Sequence, residues 1–339
     1  MSEKRIFYLD YVKAFAIFLV VFGHSGGVSG KLHSIIYSFH LPLFFFVSGM
    51  LFNKEKYVFN LSEFFRNRTK SLIIPYLKYS IYILLFYILI YQNTVDKSLI
   101  LKNFIGIFMC LRYTDYSGFL WFIIGLFNIQ IIMILLYRIL KDDYKVLFLS
   151  LILSLITVWI IDDTKIALPL YLDLSIVNLF YFCLGNYLKD NLLISKLNSW
   201  ILFLIFVVSI NLNLTFFTSS IDIYWNMFGN NILFLISGVS ATIFIIKIFS
   251  KFNCYKNIPL LFIGQNTNII YCLHQIIILP IAKYICSILF LDKIFVNIHV
   301  MFYITVSVSC IIIITIYAYI KKRISTKNNR CLIFISNLM

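Results

Sequence analysis

Few ionisable residues interrupt this apolar chain, and three of them share its first long apolar run: Asp10, Lys13 and His24. Ionisable groups inside a run of bilayer length are costly and usually face a cavity or the interior of a helix bundle. From Lys13 to His24 is eleven residues, close to three helical turns, so both side chains fall on one face, roughly 16 Å apart along the axis at about 1.5 Å per residue. Asp10 lies three residues before Lys13 and near the same stripe. One stripe thus carries an ion pair at one end and an imidazole at the other. Imidazole, with an ordinary pKa near ~6.5, is suited to taking and returning protons near neutral pH. An interfacial ion pair with His24 merely ending the span would account for any one of these residues. The three together favour function.

Other side chains extend the set. The run from Ser38 through His40 to Gly49 opens the second apolar segment and places His40 at the same end as His24, so the two imidazoles are expected to meet across neighbouring helices. His33 falls in the connection and reads as solvated. His274 follows Tyr271 by one helical turn, and either a satisfied interior histidine or a functional one fits it. Trp121 reads as an interfacial anchor before a sugar platform, and Gln265, Asn266 and Asn268 as helix caps. The letters Gly23-His24-Ser25-Gly26-Gly27 fit G-x-S-x-G, but a nucleophile elbow needs a strand, a sharp turn and a helix. Here the motif ends an apolar helix and is rejected, with Ser25 left as a potential hydrogen-bonding partner of a substrate. No Walker loop, HExxH or ligand cluster calls for a metal. The seven cysteines (Cys110, Cys183, Cys254, Cys272, Cys286, Cys310, Cys331) read as small apolar packing residues.

Composition dictates the kind of scaffold that holds these groups. A chain of 339 residues that is 61% hydrophobic and 13% charged, with a mean hydropathy of +0.93, is too apolar for a soluble globular protein. Twelve Gly and five Pro exclude collagen-like and disordered classes. Continuous apolar runs of about 20 residues, rather than short alternating strands, exclude a membrane barrel. The fold expected is all-α and polytopic, with about ten transmembrane helices over 7–26, 34–52, 72–91, 119–139, 145–161, 172–188, 199–217, 227–248, 266–287 and 297–320. The first is expected to be a retained span, since Asp10 and Lys13 interrupt it and no small-residue cleavage site comes after it. The stretch 99–111 reads as a short interfacial helix. Residues 1–322 are expected to form one transmembrane domain and 323–339 a short basic cytoplasmic tail.

Lys and Arg gather on alternate connections, beginning with Lys4 and Arg5 and ending with Lys321, Lys322, Arg323, Lys327 and Arg330. Cytoplasmic loops retain basic residues, so both termini are expected to be cytoplasmic. The net charge of +15 is then a topology signal. It gives no reason to expect a nucleic-acid partner; the bilayer is the partner expected, and a homo-oligomer is left open.

In order along the chain, Leu9-Asp10-Tyr11-Val12-Lys13, Val20-Val21-Phe22-Gly23-His24, Phe39 through Gly49, Leu72-Ile73-Ile74-Pro75-Tyr76, Leu120-Trp121-Phe122 and Ile263 through His274 resemble the acyltransferase-3 family of membrane acyltransferases. The resemblance implies about ten helices in a bacterial cytoplasmic (inner) membrane. It also implies O-acetylation in polysaccharide biosynthesis, with acetyl passing from cytoplasmic acetyl-CoA to a hydroxyl of a surface glycan or its lipid-linked precursor. Acetyl-CoA would be a donor substrate, with no cofactor permanently bound. His24 matches the catalytic histidine, and Lys13, paired with Asp10, matches a basic position where many members carry Arg; lysine keeps the charge but loses bidentate geometry. Arg66, Arg68 and Lys70 match a basic inner segment in character and are expected at the CoA phosphates. His40, Trp121 and His274 are assigned to the acceptor side. Two rival readings remain at this point. One is a secondary transporter or flippase using Asp10, Lys13, His24 and His274 as coupling or binding groups. The other is a non-catalytic member of a glycan-assembly complex.

Overall fold

The computed structural model describes residues 7–90, 96–112, 118–189, 193–252, 257–289 and 299–326. Lys4, Arg5, Cys254, Lys327, Arg330, Cys331 and residues 327–339 of the expected tail lie outside them. In chain order the helices are α1 (Phe7–His24), α2 (Gly30–Tyr37), α3 (His40–Met50), α4 (Lys54–Val58), α5 (Leu61–Arg68), α6 (Ile74–Ile90), α7 (Lys97–Met109), α8 (Trp121–Leu140), α9 (Asp143–Thr164), α10 (Leu172–Leu188), α11 (Leu193–Lys196), α12 (Ser199–Phe216), α13 (Asn231–Ser250), α14 (Ile258–Gln265), α15 (Thr267–Leu273), α16 (Leu279–Ile288) and α17 (His299–Thr326). Among the described residues there is no strand, only a single antiparallel bridge between Asp222 and Met227. Nine helical stretches among them are long and apolar enough to cross a membrane. The expected span at 172–188 is α10, whose 17 residues sit at the short end of what a bilayer needs. The protein is an all-α polytopic membrane protein.

Local chemistry sets where the spans begin. Side-chain oxygens of Asn60, Asp142, Asn198 and Asn230 accept from backbone N–H groups in the first turns of α5, α9, α12 and α13. Each such cap contributes about 1 kcal/mol. Asn257 caps α14 in the same way, accepting from Leu260 N–H at 3.1 Å. Asn266, expected to cap the following helix, instead donates its amide to the Phe262 carbonyl at 2.8 Å and so closes the end of α14. A short helix does form over most of 99–111: it is α7, with Leu101, Phe104, Ile105 and Phe108 exposed.

Contacts gather the chain into two compact units, one of residues 1–28 with 253–339 and one of residues 29–252. Neither boundary falls at residue 322, and α17 continues through that position to Thr326. In the first unit α1 packs on α14, α15 and α17. A Cβ at Gly264 would overlap the Asp10 carbonyl, so glycine lets α14 touch the backbone of α1. Asn257 N–H donates to the Tyr11 hydroxyl at 2.9 Å and fixes the start of α14.

In the second unit α3 and α10 cross at reciprocal glycines: a Cβ on Gly49 would overlap the Phe182 carbonyl, and one on Gly185 the Phe46 carbonyl. Small residues at such crossings let membrane helices approach to backbone contact, where dispersion replaces the missing hydrophobic drive. The Asn186 amide seals the crossing by donating to the carbonyls of Gly49 (3.0 Å) and Phe52 (2.8 Å).

Candidate active site

The first unit holds four of the expected site residues, Asp10, Lys13, His24 and His274. Lys13 Nζ lies 2.7 Å from Asp10 Oδ1, with the carboxylate buried and the lysine side chain 21% exposed. Further along α1, His24 is half-buried and its ring centroid lies 5.3 Å from that of His274. Because α1 is continuous from Phe7 to His24, helical geometry puts Lys13 and His24 on one face about 16 Å apart.

His274 is fully buried, and its Nδ1 lies 2.7 Å from the Tyr271 carbonyl. A carbonyl only accepts, so Nδ1 carries the proton and Nε2 is the basic nitrogen of this ring. The backbone here is a π-helical turn, His274–Ile278, in which Leu279 N–H reaches back to the His274 carbonyl. The physical cause is Pro280: it lacks an N–H and its ring would strike the carbonyl four residues back. The helix widens by one residue ahead of it.

The same device recurs in the second unit. Ahead of Pro75, residues Thr69–Ile73 form a π-helical turn closed by Ile74 N–H to the Thr69 carbonyl. This turn carries Lys70 and comes directly after Arg66 and Arg68 at the end of α5. Arg66 and Lys70 are exposed. Arg68 is half-buried, with its guanidinium over the rings of Tyr57 at 5.1 Å and Phe52 at 5.5 Å. Two of the basic side chains are therefore presented to solvent and the third is held by aromatic faces. π-helical turns are often found at functional sites, and a proline within an apolar run was the signal in the sequence for both.

The remaining assigned residues lie in the second unit. His40 is buried, its Nδ1 donating to the Ile36 carbonyl at 2.8 Å, with the Tyr37 ring 4.6 Å away. Trp121 is 4% exposed and packs beside Phe45 and Gly125. Within the first unit, the imidazole beside that of His24 is His274. His33, expected to be solvated, stacks on Tyr37 at 3.7 Å.

Ser25 spends its hydroxyl proton on the Phe22 carbonyl at 2.7 Å. It sits where α1 ends, and Gly26 carries a φ of +91° that turns the chain away while Gly27 passes beneath the Tyr303 ring. Gly26 and Gly27 of that stretch serve the turn and the close approach. Among the described residues no three of His, Cys, Asp or Glu gather as metal ligands would.

A family model described as an acyltransferase domain, that of the acyltransferase-3 family, matches residues 6–319. No curated protein and no solved structure matches the chain.

Proposed function

The chain belongs to the acyltransferase-3 family and is a membrane acyltransferase, and from that premise we propose that it moves acetyl from cytoplasmic acetyl-CoA to a sugar hydroxyl of a cell-surface polysaccharide or its lipid-linked precursor. The observation that carries this reading is the His24–His274 pair, one turn of a widened helix holding a second imidazole 5.3 Å from the first. His24 acts as general base. It takes the proton of the acceptor hydroxyl as that oxygen attacks the thioester carbonyl; the C–S bond then breaks, and the proton passes from His24 to the departing CoA sulfur. Atoms and charge balance without a covalent acyl-enzyme. His274, its tautomer set by Tyr271, orients the ring or the acceptor through Nε2.

The donor approaches from the basic face. In the second unit Arg66 and Lys70 offer the charge-assisted contacts that CoA phosphates take; in the first, Lys13, neutralised by Asp10, offers a partner for the pantetheine arm. The family match supports acyl transfer in place of solute transport. The bacterial cytoplasmic membrane with both termini inside is the placement that suits a cytoplasmic donor.

The test is mass spectrometry of surface glycan from cells expressing the wild type or His24→Gln at equal levels. Loss of a positioned base costs about 10²–10⁴ in rate, so the acetyl increment should vanish in the variant. An increment retained in folded His24→Gln protein sinks the assignment.

A further inference from the structure

We propose that the second unit carries a carbohydrate-docking cleft formed by Asp162, Lys165, Phe217, Thr218 and Trp225, which holds the saccharide of the acceptor. The inference rests on the reading that the acceptor is a sugar, and it adds a site on residues that reading does not use.

A cleft of about 560 Å³ opens between the C-terminal ends of α9 and α12 and the loop that leads into α13. That volume lies within the ~300–1,000 Å³ usual for small-molecule sites. It sits at the end of the unit opposite the basic segments around Arg66 and Arg138, the end that charge distribution assigns to the outer side. Its walls combine two kinds of chemistry. Trp225 is 55% exposed and Phe217 56%, flat apolar faces of the sort on which the C–H face of a pyranose stacks. Beside them the Asp162 carboxylate accepts from Lys165 Nζ at 2.9 Å, and the Thr218 hydroxyl donates to the Ser220 carbonyl at 2.6 Å. The Thr218 oxygen in turn accepts from Ser220 N–H at 3.2 Å and holds the loop, so that the carboxylate and the ammonium offer the acceptor and donor that vicinal sugar hydroxyls take.

The loop is built to hold that arrangement. Asn226 stands in the left-handed region at φ 55°, which asparagine tolerates. Its side-chain oxygen accepts from the Arg112 guanidinium at 3.0 Å, and its carbonyl accepts from Lys165 Nζ at 2.9 Å. Arg112 is itself fixed by Asp173 at 3.0 Å, with both side chains almost fully buried. Ile221, Ile223 and Phe228 are buried while their neighbour Trp225 is not. A Cβ at Gly229 would strike the Asn213 side chain, whose amide donates to the Phe228 carbonyl at 2.9 Å. Burial of the loop also pushes the Asp222 carboxyl up to about 6, while its oxygen accepts from Tyr224 N–H at 2.9 Å. A rigid loop that buries three apolar side chains and leaves its tryptophan out, beside a fixed ion pair, has the preorganisation of a binding surface. An interfacial anchor needs neither the ion pair nor the cleft.

The experiment uses the full chain in nanodiscs, with alkali-deacetylated surface polysaccharide from the same cells as acceptor. Trp225→Ala and Asp162→Asn should each raise the acceptor KM about tenfold, the scale of one stacking or hydrogen-bonding contact, while the KM for acetyl-CoA and the melting temperature stay put. Trp225→Phe should restore most of the affinity. Unchanged acceptor KM in both variants, or a fall in melting temperature as the only effect, overturns the cleft and leaves the transferase reading intact. Should the wild type transfer no acetyl, the transferase reading fails on its own. Fluorescence titration of Trp225 with the same polysaccharide then tests the cleft directly, with saturable quenching lost in Trp225→Phe as support and its absence in the wild type as refutation.

Discussion

Lys13 illustrates why a single charge in a membrane helix has two consequences that must be separated. Its ammonium offsets the buried Asp10 carboxylate at 2.7 Å, and removing one partner of a buried pair leaves the other desolvated, at a cost of up to about 3–5 kcal/mol. Lys13 retains some solvent contact, so the lower end applies. Lys13→Ala should therefore lower the melting temperature and also raise the KM for acetyl-CoA, while Lys13→Arg should preserve both. Asp10→Asn removes the carboxylate charge and should cost activity less than Lys13→Ala does. Equal KM values for acetyl-CoA in Lys13→Ala and wild type would remove Lys13 from the donor route.

At the scale of elements, the widened turns before Pro75 and Pro280 are the features that aim side chains. A π-helical turn inserts one residue, and at 3.6 residues per turn that rotates the downstream side chains by about 100° relative to a regular helix. His274 stands at the start of such a turn. Pro280→Ala returns an N–H and removes the ring clash, so the turn is expected to relax to regular helix and carry His274 away from His24. The outcome expected is a stable protein with acetyl transfer reduced at least about tenfold, read by turnover beside a melting curve. A variant as active as wild type would show that the widened turn does not aim the site. The glycine crossing of α3 and α10 is an element-scale feature of another kind: it sets how near two helices approach and touches none of the proposed chemistry.

For the molecule as a whole, the charge distribution makes a claim about orientation that can be checked in membranes. Glu55 and Ser219 are both exposed, the first among basic segments and the second on the loop that carries Trp225. In right-side-out vesicles, Ser219→Cys should react with a membrane-impermeant maleimide and Glu55→Cys should react only after permeabilisation, since cytoplasmic loops hold the Lys and Arg. The reverse pattern would turn the protein over and place the cleft on the donor side. Apolar runs of bilayer length made the helices legible from sequence, because burying a helix in lipid depends on its own composition. The Asp10–Lys13 pair was legible for the same reason, as both residues lie on one helix three positions apart. The meeting of His24 with His274 was not legible. Nor was the burial of Arg112 against Asp173, which as sequence are only two charges 61 residues apart. Those pairings join residues far apart in the chain, and which helices come together is decided by close backbone approach at Gly264, Gly49 and Gly185 and by hydrogen bonds across the crossings. Hydropathy says that a segment enters the membrane; only packing says which neighbour its side chains meet.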